Sequence, residues 1–140
     1  MENKYFTPDI EDFYVGYEYE YEDIIPSGSS DYFKSIISKP SEIENLFKEF
    51  DAGMGIRVPY LTKEQIEAEG WKECILNDNE QALLLFSKNG YDLRIYEDYI
   101  YRFSELIVGA GMMPCWDKVL FEGECKDINT FRKIIKLLKI

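Results

Sequence analysis

Histidine is absent from the 140 residues. That absence removes the commonest general base near neutral pH, the Ser-His and Cys-His nucleophile pairs, and most zinc sites. Cysteine is scarce. Cys74, Cys115 and Cys125 are odd in number and lack CxxC spacing, so neither a disulfide framework nor a thiolate metal centre is expected. Bases are outnumbered, 16 against 27 acids, for a net charge of −11. Phosphate backbones are held by clustered Lys and Arg that displace counterions, so direct nucleic-acid binding is not expected. Long apolar runs are also missing. The longest near-apolar stretch, LIVGAGMMPCW, is too short for a bilayer and is broken by Gly and Pro, while the opening MENKYFTPDIED has no apolar signal core. The expectation is a cytoplasmic protein without membrane contact. Neither a P-loop nor GxGxxG occurs; AGMGIR (52–57) has two close glycines without the Lys-Ser/Thr pair and reads as a turn.

What is present points to a folded sheet protein. A hydrophobic fraction of 46% and an aromatic fraction of 16% supply enough apolar area to offset ordering entropy. Tyr and Phe, 11 and 9 residues, favour strands. At this length a single domain spanning 1–140 is the simplest expectation.

Along the chain, FYVGYEYEYE (13–22) alternates with a period of two, which predicts a half-buried strand: Phe13, Val15, Tyr17, Tyr19 and Tyr21 inward, Tyr14, Gly16, Glu18, Glu20 and Glu22 outward. DIIPSGSS (23–30) reads as a loop and DYFKSIIS (31–38) as a short helix. PSEIENLFKEFDAG (40–53) predicts a helix, with Ser41 and Glu44 at capping-box spacing and Gly53 as terminator. GIRVPYL reads as a strand, and TKEQIEAEG as a short helix with a Thr62/Gln65 capping box ending at Gly70. Asn89-Gly90 between two β-rich runs predicts a hairpin, because a type I′ turn needs positive φ at both positions. EDYIYRFSELIVGAG fits both periods and is read as a strand on propensity; DKVLFEGECK reads as the last strand. DINTFRKIIKLLKI predicts an amphipathic helix with Ile128, Phe131, Ile135 and Leu138 inward and its bases late. The fold class expected is α+β: one mainly antiparallel sheet of five to seven strands, a few short helices, and the C-terminal helix packed on the sheet.

Charge is distributed unevenly. Residues 1–23 hold eight acids against Lys4, a net of −7, whereas residues 126–140 hold five bases against Asp127, a net of +4. If 13–22 is extended, Glu18, Glu20 and Glu22 stand in a row about 7 Å apart, twice the rise per residue. With Tyr14 on the same side they form the candidate partner-binding residues, since tyrosine offers area with a polar tip. The competing reading is the solvated face of an ordinary amphipathic strand. No catalytic or metal-ligating residue and no cofactor is assigned: a flat row of carboxylates diverges, and no loop has calcium-site spacing. Pro8-Asp9 with Glu124-x-Lys126 echoes the PD-(D/E)xK nuclease pattern, but its parts lie far apart in sequence and the chain is acidic.

Three stretches, YFTPDIEDFYVGYEYE (5–20), RVPYLTKEQIEAEGWKE (57–73) and VLFEGECKDINTFRKIIKLLKI (119–140), resemble uncharacterised small hypothetical proteins of gut Bacteroidetes and their phages. They cover about two-fifths of the chain; the resemblance does not extend to roughly residues 74–118. The family has no assigned activity, so no site residue carries over. What the resemblance implies is a setting: a phage or mobile-element product acting inside a bacterium.

Function is therefore expected to be non-catalytic. An acidic interaction protein would engage a basic protein partner, for instance as a phage-encoded inhibitor of host defence occupying the nucleic-acid-binding surface of a host protein. Two alternatives stay open: a small metal-dependent carboxylate enzyme (nuclease or hydrolase), and a virion structural or assembly component. Self-association into a homo-oligomer is compatible with each.

Overall fold

Cross-strand pairing organises nearly every element, in a computed structural model that describes residues 4–50, 55–74, 84–97, 103–110 and 118–140. The chain divides into two compact units, Asn3–Pro59 and Tyr60–Ile140. Each is built on its own antiparallel sheet, so the class is α+β with mainly sheet; the single sheet of five to seven strands becomes one of four strands and one of five.

In Asn3–Pro59 the strands are β1 (Tyr5–Phe6), β2 (Glu18–Ile24), β3 (Ser30–Ile36) and β4 (Ile56–Pro59), in spatial order β1-β4-β2-β3. Helix α1 (Ser41–Glu49) lies between β3 and β4 in sequence. The strand expected over 13–22 begins only at Glu18. Before it, Tyr17 N–H donates to Tyr14 C=O (2.9 Å), and Gly16, at φ 101°, makes a turn that only glycine adopts without strain. That turn leaves Val15 51% exposed and Phe13 and Tyr17 buried together, their ring centroids 4.3 Å apart. Residues 31–38 are not the helix the sequence suggested. Ser30–Ile36 pairs with β2 over seven consecutive positions, from Glu18↔Ile36 to Ile24↔Ser30. Long-range pairing here overrides a helical pattern too short to nucleate. Within 23–30 the loop shrinks to Pro26-Ser27-Gly28. Gly28 N–H donates to Ile25 C=O and Ile25 N–H to Ser29 C=O, both at 2.9 Å, with Gly28 at φ 89°, the three-residue hairpin loop in which glycine takes the left-handed position.

Helix α1 follows Pro40, and the expected Ser41/Glu44 box does not form. Glu42 reaches back instead, accepting from Ser38 Oγ (2.5 Å) and Ser38 N (2.9 Å). The helix covers one face of the sheet: Leu46 is buried, Phe47 meets Phe13 edge-on at 5.1 Å, and Phe50 lies 6.1 Å from Tyr21. Around them Tyr19, Ile37, Ile56 and Val58 complete the core of this unit.

Tyr60–Ile140 is a five-stranded meander, β5 (Lys72–Glu73), β6 (Leu84–Lys88), β7 (Tyr91–Glu97), β8 (Phe103–Ala110) and β9 (Lys118–Glu124), with α2 (Lys63–Ala68) and α3 (Ile128–Leu138). Asn89 and Gly90 sit at φ 51° and 83°, as the hairpin required. Within the ambiguous stretch Glu97 ends β7 and residues 103–110 form a strand; 98–102 and 111 lie outside the described residues. The Thr62/Gln65 capping box forms, with Thr62 Oγ1 accepting from Gln65 N (3.2 Å) and Gln65 Oε1 from Thr62 N (3.0 Å). Helix α3 packs on the sheet through Ile128, Phe131 and Ile134, against Phe86, Leu93, Leu106 and Trp71. Ile134, not the expected Ile135, takes the deeper place; Ile135 and Leu138 pack at its margin. Among the described residues no helix is long and apolar enough to cross a membrane.

Asp127, 2% exposed, holds the start of α3. Its carboxylate accepts from Thr130 Oγ1 (2.6 Å), Thr130 N (3.4 Å) and Asn129 Nδ2 (2.8 Å). Asp127→Ala removes the cap and strands buried donors, so it should cost about 1–3 kcal/mol, read as a lower urea midpoint with unchanged denaturant slope. Asp127→Asn, which keeps an accepting oxygen, should recover part of that loss.

Candidate functional site

The face of the four-stranded sheet opposite α1 carries the acidic row. Strand register places Glu18, Glu20 and Glu22 of β2 opposite Ile36, Lys34 and Tyr32 of β3, and Glu20 opposite Arg57 of β4. Tyr5 of β1 lies opposite Pro59, two positions from Arg57 and on the same side. Arg57 is the centre of the arrangement. Its Nε and Nη2 both lie 2.9 Å from Glu20 Oε1. Its guanidinium is clamped between two aromatic faces, 3.7 Å from the Tyr5 ring centroid and 3.6 Å from that of Tyr32. A planar, weakly hydrated cation suits such a double stack, and lysine would lose both the stack and the fork.

The acidic row is consequently uneven, not the continuous exposed ridge expected from alternation. Glu20 is buried, 8% exposed, with its charge taken up by Arg57. Glu18 is half-buried, and Glu22 is exposed. Tyr32 bonds to Glu22; its phenol is pushed above its usual pKa first by partial burial and then by that hydrogen bond and the Glu22 charge. Tyr14 is half-buried, its ring edge-on to Tyr17 at 5.6 Å, in the turn before β2 and not on the strand itself. Sequence reasoning did not single out Tyr5, Tyr32 and Arg57. The alternation in GIRVP, with Ile56 and Val58 inward, was the available signal that Arg57 shares the glutamates' side.

More carboxylates gather where the β2–β3 hairpin passes the end of α1. An open cleft of about 490 Å³ is lined by Glu22, Asp23, Glu49, Tyr21, Phe50 and Ser30, among others. Counted over the sequence, Asn3–Pro59 holds 12 acidic and 5 basic residues, so −7 of the chain's −11 resides in this unit. Among the described residues no three His, Cys, Asp or Glu side chains converge as a metal site would require. Asp9 and the Glu124-x-Lys126 pair belong to different units, and Lys126 Nζ lies 3.3 Å from Glu124 Oε1. Cys125 is buried in the core of the second unit, where desolvation raises its thiol pKa far above the usual range and keeps it a neutral, packed group. Cys115 lies outside the described residues.

No family model, curated protein or solved structure matches the chain.

Two expectations follow from this geometry. Glu20→Gln, which leaves the Arg57 charge without its counter-ion, should destabilise Asn3–Pro59 by about 1.5–3 kcal/mol, the range for hydrogen bonds to charged groups, whereas Glu22→Gln should leave the thermal midpoint nearly unchanged. The second concerns Glu42. Its hydrogen bonds from Ser38 hold its carboxyl below the usual pKa. A depressed pKa favours the native state above the ordinary carboxylate value, and that contribution fades as pH falls through the lowered one. Ser38→Ala should therefore raise the Glu42 pKa towards normal in an NMR titration, by removing the stronger of the two bonds.

Proposed function

We propose that the chain is a non-catalytic interaction protein whose acidic unit, Asn3–Pro59, engages a basic surface of a protein partner. The observation carrying this reading is the placement of charge: the unit has a net charge of −7, and Glu22 and Asp23 stay exposed beside the cleft while the one arginine of its face is consumed by Glu20. A field of one sign steers an oppositely charged partner and is weakened by salt. Glu22 and Glu18 are the contacting carboxylates, with Tyr14 at the margin; Glu20 serves the surface by fixing Arg57. The partner proposed is a nucleic-acid-handling protein of the bacterial host, whose DNA site the acidic face occupies; the family resemblance implies the setting, a phage or mobile-element product acting inside a bacterium, and inhibition of host defence is the role proposed there.

Immobilised protein should capture such a partner from host lysate at low salt and release it as salt rises. Glu18→Lys with Glu22→Lys, a pair that leaves Glu20 in place as the counter-ion of Arg57, should reduce capture at least tenfold, and added chain should displace DNA from the captured protein. Equal capture by the variant, or capture indifferent to salt, would overturn the reading.

A further inference from the structure

The four-stranded sheet ends at β3, and among the described residues no strand pairs with its outer edge. The hydrogen-bond parity of that edge can be read from its neighbours. Glu22 N–H donates away from β3, to Gly55 C=O (2.8 Å), while Ile37 N–H donates to Tyr17 C=O (3.0 Å). Odd-numbered residues of β3 thus bond to β2, and even-numbered ones turn N–H and C=O outward. Two outward N–H groups along this line are already occupied: Tyr32 N by Asp31 Oδ1 (2.8 Å) and Ser38 N by Glu42 Oε2 (2.9 Å). Between these capped ends, Lys34 and Ile36 present an open pairing segment.

Natural edges are usually blunted by proline, a bulge, an inward charge or an exposed lysine, and of these β3 carries the lysine, Lys34. Strand β3 contains no proline, its register with β2 runs unbroken over seven pairs, and Lys34 lies opposite Glu20. Apolar surface collects on the same hairpin: Phe33 is 40% exposed, Ile36 52% and Ile24 76%. Backbone groups in line, flanked by exposed apolar side chains, are what strand addition uses: main-chain bonds for affinity and alternate side chains for selection.

We infer that the free edge of β3 is a docking strand for an extended segment of the partner in which basic and apolar residues alternate. This inference rests on the proposed engagement of a basic partner and states how that partner binds. Charge selects the occupant. A second copy would bring another unit of net −7 against this one, and a symmetric pairing centred on Lys34 would set like charges opposite each other. A basic strand instead can turn its cations to the side of Asp31 and Asp23 and, by alternation, its apolar residues to the other side, beside Ile36 and the stem of Lys34.

The test uses a short synthetic peptide alternating arginine with valine, and a counterpart alternating glutamate with valine, titrated against the full chain by fluorescence polarisation. Only the basic peptide should bind, and it should slow amide exchange at Lys34 and Ile36 measured by NMR. Ile36→Pro removes an outward N–H at an edge, where proline is tolerated, and should weaken binding at least tenfold with the circular dichroism spectrum retained. Binding that survives Ile36→Pro, or leaves the Lys34 and Ile36 amides unprotected, yet is lost in Glu22→Lys with Asp23→Lys, would overturn strand addition while sparing the acidic-surface reading. Indifference to all these substitutions would overturn both. Failure to bind the basic peptide by a chain that light scattering shows to be dimeric would assign the edge to a second copy and overturn the inference.

Discussion

Arg57 is held by one residue from every other strand of its sheet: Tyr5 from β1, Glu20 from β2 and Tyr32 from β3. The strands lie in the order β1-β4-β2-β3, so this one side chain ties the sheet across its full width on the face that α1 does not cover. Each stack contributes about 0.5–2 kcal/mol, depending on how far the cation is desolvated. The carboxylate supplies charge-assisted hydrogen bonds on top of that. A two-residue strand such as β1 offers little pairing of its own, and beyond its two cross-strand positions it is anchored by Tyr5 over Arg57 and by Phe6 packed against the core.

The same clamp decides what the acidic row offers to a partner. Three glutamates at alternate positions look equivalent in sequence, but the clamp converts the middle one from surface charge into internal counter-ion. The remaining exposed carboxylates shift the negative surface towards the β2–β3 hairpin and the end of α1, where Glu22, Asp23 and Glu49 line one cleft. The proposed interaction surface is thus displaced along the strand from where periodicity alone would centre it, towards the β2–β3 hairpin. Tyr32 links the two regions, stacking on Arg57 and bonding to Glu22.

The second unit is organised by apolar burial. Its core draws on Phe86, Leu93 and Leu106 of the sheet, Trp71 in the connection before β5, and Phe131 of α3, with Trp71 and Phe131 meeting edge-on at 6.3 Å. Helix α3 can dock there because its cap is satisfied internally by Asp127, so burying the helix start strands no donor that Asp127 could have served. Bases on α3 are accommodated locally, as in the contact of Arg132 with Glu69 across the unit. The net positive charge of residues 126–140 is spent in part on such contacts.

The amino-acid sequence by itself determined the α+β class, the Asn89-Gly90 hairpin, the Thr62-capped helix and the amphipathic C-terminal helix. These depend on forces acting within a few residues: positive φ tolerated by Asn and Gly, a side chain reaching N3 of its own helix, and a 3.6-residue apolar stripe. Tertiary structure alone decided that 30–36 is a strand, that Gly16 turns the chain before β2 begins, that the strands divide into two sheets, and that Glu20 is neutralised while Glu22 is not. The last of those outcomes is set by a partner distant in sequence, Arg57, which lies 37 positions from Glu20. Local propensity carries no information about which strand comes to lie alongside, and a carboxylate's role depends on what that neighbour brings.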